Sequence, residues 1–213
     1  MTHVAVASLD PSQFAARGAV GAAVVAVLAL VVLHFVQPEL EVSRSMISQY
    51  AVGAQGWMMT LCFAAFAVAS AALFITLLDS VRGPLAWLGL AALAAAMVGT
   101  AMGGAFPMDP TTTAPDAMSF AGRMHGVAFM VGVPGEILAT LFLSLALRSN
   151  PAWTGLPLLW ITAFVWVSLA IMAWALMGFM KDTSGPTVMG YFNRLFMVGY
   201  AVWVAVAAWP RLR

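Results

Sequence analysis

Six apolar runs of about twenty residues each dominate this sequence, and they restrict what the chain can fold into. A helix needs about 20 consecutive apolar residues to cross the hydrocarbon core of a bilayer, so each run is long enough for one crossing. We therefore predict an all-α membrane protein, a compact bundle of six transmembrane helices that forms a single domain over residues 1–213. The predicted spans are 18–36, 57–78, 85–106, 126–147, 157–180 and 190–209.

The composition supports this interpretation and excludes other classes of protein. Hydrophobic residues make up 63% of the chain and charged residues only 8%, whereas a soluble domain carries about 25% charged residues. So few charges cannot cover a water-exposed surface, so most of the surface must face lipid. The net charge of +1 gives no electrostatic footprint for nucleic acid. Cys62 is the only cysteine, which excludes a disulfide within the chain.

Helix parity divides the connections into two groups. The connections 1–2, 3–4 and 5–6 are long and polar and share what we name the loop-rich end, whereas the connections 2–3 and 4–5 are tight. Cytoplasmic ends carry an excess of lysine and arginine. Five basic residues lie at the tight end and four at the loop-rich end, which predicts cytoplasmic N- and C-termini in the cell (inner) membrane. The five are Arg17, Arg82, Arg148, Arg211 and Arg213; the four are Arg44, Arg123, Lys181 and Arg194.

Most of the candidate functional residues lie at the loop-rich end. His125 is the candidate acid/base or ligand-orienting group, with Asp109 as its partner, and Ser48 or Ser45 completes the residue types of a nucleophilic triad. Arg194 or Arg123 would bind an anionic headgroup. The remaining candidate ligand-binding residues in this region are Arg44, Tyr50, Asn193 and His34, the last in the final turns of helix 1.

Glu136 is the one acidic residue predicted near the middle of a span, which makes it a functional candidate because ionisable groups are costly inside a membrane. It follows Pro134 and Gly135, where the helix can kink. His125 begins predicted helix 4, and eleven residues at 100° each bring Glu136 to within about 20° of the same face. The pair predicts a proton path or the wall of a polar pocket. The alternative is a protonated carboxyl group that hydrogen-bonds a serine, a threonine or a backbone carbonyl of a neighbouring helix.

Metal and haem sites have little support in the sequence. His34 and His125 lie near the loop-rich ends of their helices and could together ligate one haem. With Asp109 as a third ligand, they could instead hold a catalytic zinc ion. His3, the third histidine, precedes helix 1 on the opposite side. We predict no metal site, and the sequence does not identify a cofactor.

Helix 3 contains Gly99 and Gly103, a spacing of small residues that lets two helices approach closely. We interpret it as packing within the bundle. Self-association through this face is the alternative, so a homo-oligomer or a larger membrane complex stays open.

Several short motifs give the chain a family resemblance. These are the segment from Ser45 to Trp57 (SMISQYAVGAQGW), the segment FPMD ending at Asp109, the pair His125-Gly126, and the segment GYFNR ending at Arg194. In order and placement they resemble the bacterial and archaeal "domain of unknown function 998" family over about residues 20–210. The resemblance implies a compact six-helix membrane protein whose marked positions are Ser48, Asp109, His125 and Arg194. It implies no reaction, and Glu136 does not match a position of that pattern.

The sequence favours one function and leaves others open. The leading hypothesis is an outward-facing polar pocket that binds or processes a lipid or hydrophobic small molecule. The alternatives are a small proton-coupled permease that uses Glu136, a haem-carrying subunit, and an accessory subunit of a membrane complex. Whether the protein is an enzyme stays open. The expected partners are membrane lipid and a hydrophobic small molecule.

Overall fold

The computed structural model describes residues 10–213, and six long α-helices within this range account for the six predicted spans. All six are long and apolar enough to cross a membrane, and the described residues contain no β-strand. The prediction of an all-α bundle of six transmembrane helices is therefore confirmed. His3 lies outside the described residues. The helices are α1 Pro11–Val36, α2 Gly56–Leu77, α3 Pro84–Ala105, α4 Phe120–Leu147, α5 Leu158–Lys181 and α6 Met189–Ala208.

The first helix begins at Pro11 rather than at residue 18, because its start is set by a cap and not by hydropathy. The Asp10 carboxylate accepts hydrogen bonds from the Ser12 hydroxyl at 2.8 Å and the Ser12 N–H at 3.0 Å. These two bonds hold the pKa of Asp10 below its usual value. Proline suits the first helical position, where its missing N–H is not needed.

The fourth helix also begins earlier than predicted, at Phe120 rather than at residue 126. Ser119 is its N-cap, and the Ser119 hydroxyl accepts the N–H of Gly122 at 3.0 Å. The prediction that His125 begins helix 4 is therefore wrong, and His125 lies in the second turn. The predicted apolar run begins at residue 126, after these first turns of α4. The whole helix of 28 residues spans about 42 Å, which is more than the hydrocarbon core requires. The extra turns extend α4 at the loop-rich end.

The sixth helix lies at the centre of the bundle. It contacts α1, α2, α4 and α5, and its Phe196, Tyr200 and Trp203 side chains are fully buried. In contrast, Trp160 of α5 and Phe35 of α1 are almost fully exposed on the surface of the bundle. Large apolar side chains on the outside are what a lipid-facing surface requires. Helix α6 is thus the most buried of the six and packs against four of the other five.

Helices α3 and α4 pack most closely, through glycine and alanine. A Cβ atom on Gly99 would lie 2.2 Å from the Cα atom of Gly132, and one on Gly135 would lie 2.4 Å from the nitrogen of Ala96. Such short separations leave room only for glycine. The small residues of helix 3 therefore serve packing within the bundle, as predicted.

The connections separate into two ends as helix parity predicts. At the loop-rich end, the N–H of Gly190 donates to the carbonyl of Ser43 at 2.7 Å, which joins the 1–2 connection to the start of α6. At the opposite end, Asn150 Nδ2 donates to the carbonyl of Ser80 at 3.0 Å, and Arg211 Nη2 donates to the Ser80 hydroxyl at 2.8 Å. Which end faces the cytoplasm stays a prediction.

Candidate functional site

A buried arginine on α6 organises the loop-rich end. Arg194 is only 9% exposed, and its Nη2 donates to the Tyr50 hydroxyl at 3.2 Å. Its Nη1 contacts three backbone carbonyls: Ser45 at 2.7 Å, Gly190 at 2.9 Å and Val42 at 3.2 Å. Because Val42, Ser45 and Tyr50 belong to the 1–2 connection, Arg194 fastens this connection onto α6.

The remaining donor of Arg194 contacts a histidine of α1. Arg194 Nε donates to His34 Nε2 at 2.6 Å, and His34 Nδ1 lies 2.6 Å from the carbonyl oxygen of Leu30. A carbonyl only accepts, so Nδ1 carries the proton and Nε2 is the acceptor of a neutral imidazole. The His34 and Tyr50 ring centroids are 5.3 Å apart. We name Arg194, His34 and Tyr50 the clasp, since together they join α1, α6 and the connection between α1 and α2.

Asn193, the neighbour of Arg194, also joins the 1–2 connection to α6. Its Oδ1 accepts the N–H of Ile47 at 2.8 Å, and its Nδ2 donates to the sulfur of Met172 on α5 at 3.4 Å. One turn earlier in α6, a Cβ atom on Gly190 would lie 2.1 Å from the carbonyl oxygen of Val42. The start of α6 therefore holds the 1–2 connection by hydrogen bonds and by close backbone contact.

Arg44 joins the 1–2 connection to the loop between α5 and α6. Its guanidinium donates to the carbonyl of Gly185 at 2.8 Å and to that of Thr183. The loop itself is shaped by Asp182, whose carboxylate accepts the hydroxyl of Ser184 at 2.6 Å and its N–H at 2.9 Å. These bonds hold the pKa of Asp182 below its usual value. Arg44 therefore has a structural role in the loop-rich end.

A narrow cleft of about 60 Å³ lies beneath the 1–2 connection, between α4 and α6. Its walls are mainly apolar, and α2 and α3 complete them. Five polar residues also line the cleft: Ser48, Thr100, His125, Glu136 and Asn193. Ser48 and His125 lie at the loop-rich end, and Glu136 lies about three helical turns further along α4. The apolar side chains are Met46, Ile47, Phe63, Ala128, Phe129, Val133, Phe196 and Met197. The sequence predicts a polar pocket, whereas the structure contains an apolar cleft with a few polar groups.

Glu136 is 1% exposed, and its Oε2 atom has no hydrogen-bond partner among residues 10–213. Two hydroxyl groups of α3 and α4 bond elsewhere: Thr100 Oγ1 donates to the carbonyl of Ala96 and Thr140 Oγ1 to that of Ile137, both at 2.8 Å. No serine or threonine hydroxyl of the described chain hydrogen-bonds Glu136. The alternative of a protonated carboxyl group that bonds a backbone carbonyl stays a prediction. A buried carboxyl group without a partner is unusual and costly.

His125 lies on the same side of α4 as Glu136, as the eleven-residue spacing predicts, because both line the cleft. His125 Nδ1 contacts the carbonyl oxygen of Phe106 at 2.9 Å, and its ring meets the Phe63 ring edge-on at 5.9 Å between centroids. Because a carbonyl only accepts, Nδ1 is the donor. Nε2 is therefore the nitrogen that could accept a hydrogen bond from a ligand.

Asp109 lies outside the cleft, at the start of α4. Its Oδ2 accepts the N–H of Ser119 at 2.8 Å, and a Cβ atom on Gly122 would lie 2.1 Å from that oxygen. Asp109 and His125 line a separate surface groove of about 250 Å³. Within residues 10–213 no hydrogen bond joins Ser48, His125 and Asp109, so the structure does not assemble the three into a triad.

The two arginines considered for an anionic headgroup have different surroundings. Arg194 donates to neutral acceptors in the clasp, and Arg123 is exposed and donates to the carbonyl of Met118. Neither lines the cleft. Headgroup binding by either one therefore stays a prediction.

The histidines are not arranged as a metal site. In the part of the chain that the structure describes, no three His, Cys, Asp or Glu side chains come together in a way that could hold a metal ion. His34 Nε2, the nitrogen that would bind a haem iron, accepts the Arg194 hydrogen bond instead. Haem ligation by His34 and His125 would require that bond to break.

Gln37 is a buried polar residue of this region that the sequence analysis missed. It is 2% exposed, and its Nε2 donates to the carbonyl of Tyr50 at 3.1 Å. Gln37 packs closely against Gly53, where an added Cβ atom would meet the end of the Gln37 side chain. The only signal was a polar residue at the end of an apolar run and before Pro38, which does not indicate burial.

A polar network continues along α4 beyond Glu136. Thr140 and Ser144 follow at intervals of four residues, so they lie on the same side of the helix. The Ser144 hydroxyl contacts the Thr162 hydroxyl at 2.9 Å and accepts the indole N–H of Trp203 at 2.8 Å. Thr162 also donates to the carbonyl of Thr140 at 3.1 Å. These contacts tie α4, α5 and α6 together below the cleft.

A comparison with known protein families identifies the chain. No curated protein and no solved structure matches it. One family, described as "Protein of unknown function (DUF998)", matches residues 20–210, which include α2 to α6 and most of α1. The match agrees with the resemblance carried by the motifs around Ser48, Asp109, His125 and Arg194. The chain therefore belongs to this family, as a multi-pass membrane protein with six candidate spans.

Proposed function

We propose that the cleft between α4 and α6 binds the apolar chain of a membrane lipid or other hydrophobic small molecule. One observation carries the proposal: an apolar-walled cleft leads from the loop-rich end to a buried carboxyl group without a partner in the described chain. Ligand sites are typically apolar concavities with a few placed polar groups. The polar residues of this cleft are Ser48, Thr100, His125, Glu136 and Asn193.

The size of the cleft limits the kind of ligand. Pockets for drug-sized molecules enclose about 300–1,000 Å³, and this cleft has about 60 Å³. It suits a slender chain segment rather than a bulky ring system or a whole headgroup. Such a chain could also extend between α4 and α6 into the surrounding lipid.

The 1–2 connection covers the cleft at the loop-rich end. The 1–2 connection contributes Met46, Ile47 and Ser48 to the lining, and Arg194 and Asn193 fix the position of this connection. In this proposal the clasp holds the 1–2 connection over the cleft. Ser48 and His125 contact the ligand at the loop-rich end of the cleft.

A matched pair of substitutions on α4 tests the proposal. Val133 lines the cleft, whereas Met130 is 69% exposed on the same helix. Val133→Phe should fill the cleft and reduce lipid retained by the delipidated and reloaded protein about tenfold, which corresponds to ~1.4 kcal/mol. Met130→Phe should leave retention unchanged. Mass spectrometry of the intact protein in detergent measures the bound lipid.

The folding of both variants is checked by their thermal unfolding in the same detergent. Equal lipid retention in the two variants, with both folded, would refute the cleft as the binding site.

A second candidate function is a proton-coupled permease. It is favoured by the polar line along α4, from His125 through Glu136 to Thr140 and Ser144. A proton flux into proteoliposomes that disappears in Glu136→Gln but persists in Val133→Phe would favour this candidate over ligand binding.

A further inference from the structure

Glu136 has unused capacity to accept hydrogen bonds. The carboxyl group is 1% exposed, its Oε2 lacks a partner, and the single salt bridge among residues 10–213 joins Arg44 to Glu41 at the loop-rich end. Within residues 10–213, neither a lysine nor an arginine lines the cleft and no donor hydrogen-bonds Glu136 Oε2.

The other polar groups of the lining are already engaged or lie elsewhere. Asn193 bonds Ile47 and Met172, and Thr100 bonds its own helix. Ser48 and His125 lie toward the loop-rich end of the cleft. A ligand with an N–H donor would satisfy Glu136 Oε2, which has no partner in the described chain.

Charge and shape narrow the class of ligand further. A cationic donor complements a carboxylate better than a neutral donor, since charge-assisted hydrogen bonds are about twice as strong. An anionic group would find no arginine or lysine in the lining. The cleft is narrow, which favours a small ammonium group over a bulky trimethylammonium group that also lacks N–H donors.

We propose that the cleft selects amphiphiles whose polar end is a primary amine, and that this amine pairs with Glu136 while the apolar chain lies against Phe129, Val133 and Phe196. The inference rests on the proposed function, since it names the ligand class of the same cleft. Glu136 is the specificity-determining group. The apolar walls bind the chain of the ligand and do not distinguish one polar end from another.

Four ligands of equal chain length test the selection: a primary alkylamine, an alkyltrimethylammonium, an alcohol and a carboxylate. Each is titrated against the detergent-solubilised protein, and occupancy is measured by native mass spectrometry. The wild type should bind the primary amine about tenfold more tightly than the carboxylate or the trimethylammonium compound. Glu136→Gln should lose this preference while keeping the alcohol. Val133→Phe should lose all four.

The outcomes separate the two proposals. If all four ligands bind the wild type equally and Val133→Phe abolishes them, the amine selection is wrong and the cleft proposal stands. If Val133→Phe binds every ligand as well as Met130→Phe does, both proposals fail. A preference for the amine that persists in Glu136→Gln would overturn the role of Glu136. The wild-type panel decides the selection even if Glu136→Gln does not fold.

Discussion

Arg194 shows how one side chain can serve several backbone segments at once. Its guanidinium contacts three carbonyls, the Tyr50 hydroxyl and His34, and all these acceptors are neutral in the arrangement described. Arginine offers five N–H donors in a planar fork, whereas lysine offers a single point of charge. Buried hydrogen bonds to a charged group contribute more than those between neutral groups. The clasp therefore depends on arginine and not simply on positive charge.

Arg194→Lys is expected to destabilise the protein by about 2–4 kcal/mol, because several buried acceptors lose their donor. Thermal unfolding in detergent, followed by tryptophan fluorescence, measures the effect. Arg123→Lys is the control: Arg123 is exposed and has one side-chain hydrogen bond, to Met118. Its change should stay within about 0.5 kcal/mol. Equal stability of the two variants would show that the clasp is not a stabilising element.

Among helix pairs, α3 and α4 depend most on small residues. Gly99 faces Gly132, and Gly135 faces Ala96, with separations that admit no Cβ atom. In lipid, helices associate through close packing rather than through the hydrophobic effect, so such contacts carry much of the interaction. They also position α4, and with it His125 and Glu136, beside α6.

Gly99→Val should destabilise the bundle by about 1–3 kcal/mol, because the added atoms meet the backbone of α4, which cannot move aside as a side chain can. Gly21→Val is the matched control, since a Cβ atom on Gly21 has no neighbour within 4 Å. The midpoint of thermal unfolding of each variant in detergent gives the comparison. If Gly99→Val unfolds at the same temperature as Gly21→Val, the close approach of α3 and α4 does not hold in the membrane protein.

On the scale of the whole molecule, the fold groups the three long connections at one end. The bonds of Arg44 and Gly190 link two of these connections, and the bonds of Ser80 with Asn150 and Arg211 mark the other end. The distribution of basic residues predicts that the loop-rich end faces outward. The contacts within the protein are the same whichever side of the membrane this end faces, so the orientation needs its own test.

Cysteine labelling in intact cells tests this orientation. The native Cys62 is fully buried, so the native chain is the unlabelled control. Thr112→Cys, in the exposed 3–4 connection, should react with a membrane-impermeant maleimide. Ser149→Cys, at the opposite end, should react only after the cells are made permeable. The reverse pattern would invert the topology.

The sequence by itself determined the six helices and the polar end, because the length and polarity of a run decide whether it can cross a bilayer. It also identified Arg194, Asn193, His34 and Tyr50 singly, since each is a polar or ionisable residue near a span. Only the tertiary structure decided which of them meet. Arg194 and His34 lie 160 residues apart, and helices that are apolar all round carry little periodic signal to show which face turns inward.

Helix packing also decides why Glu136 lies in the cleft and Asp109 does not. Both were candidates by residue type, but the packing of α4 against α3 and α6 leaves Glu136 unpartnered in the cleft, while Asp109 contacts the start of α4. Helix starts also depended on capping contacts at Asp10 and Ser119 rather than on hydropathy. Hydropathy thus determines that a helix forms, whereas helix rotation and packing decide which polar groups share a site.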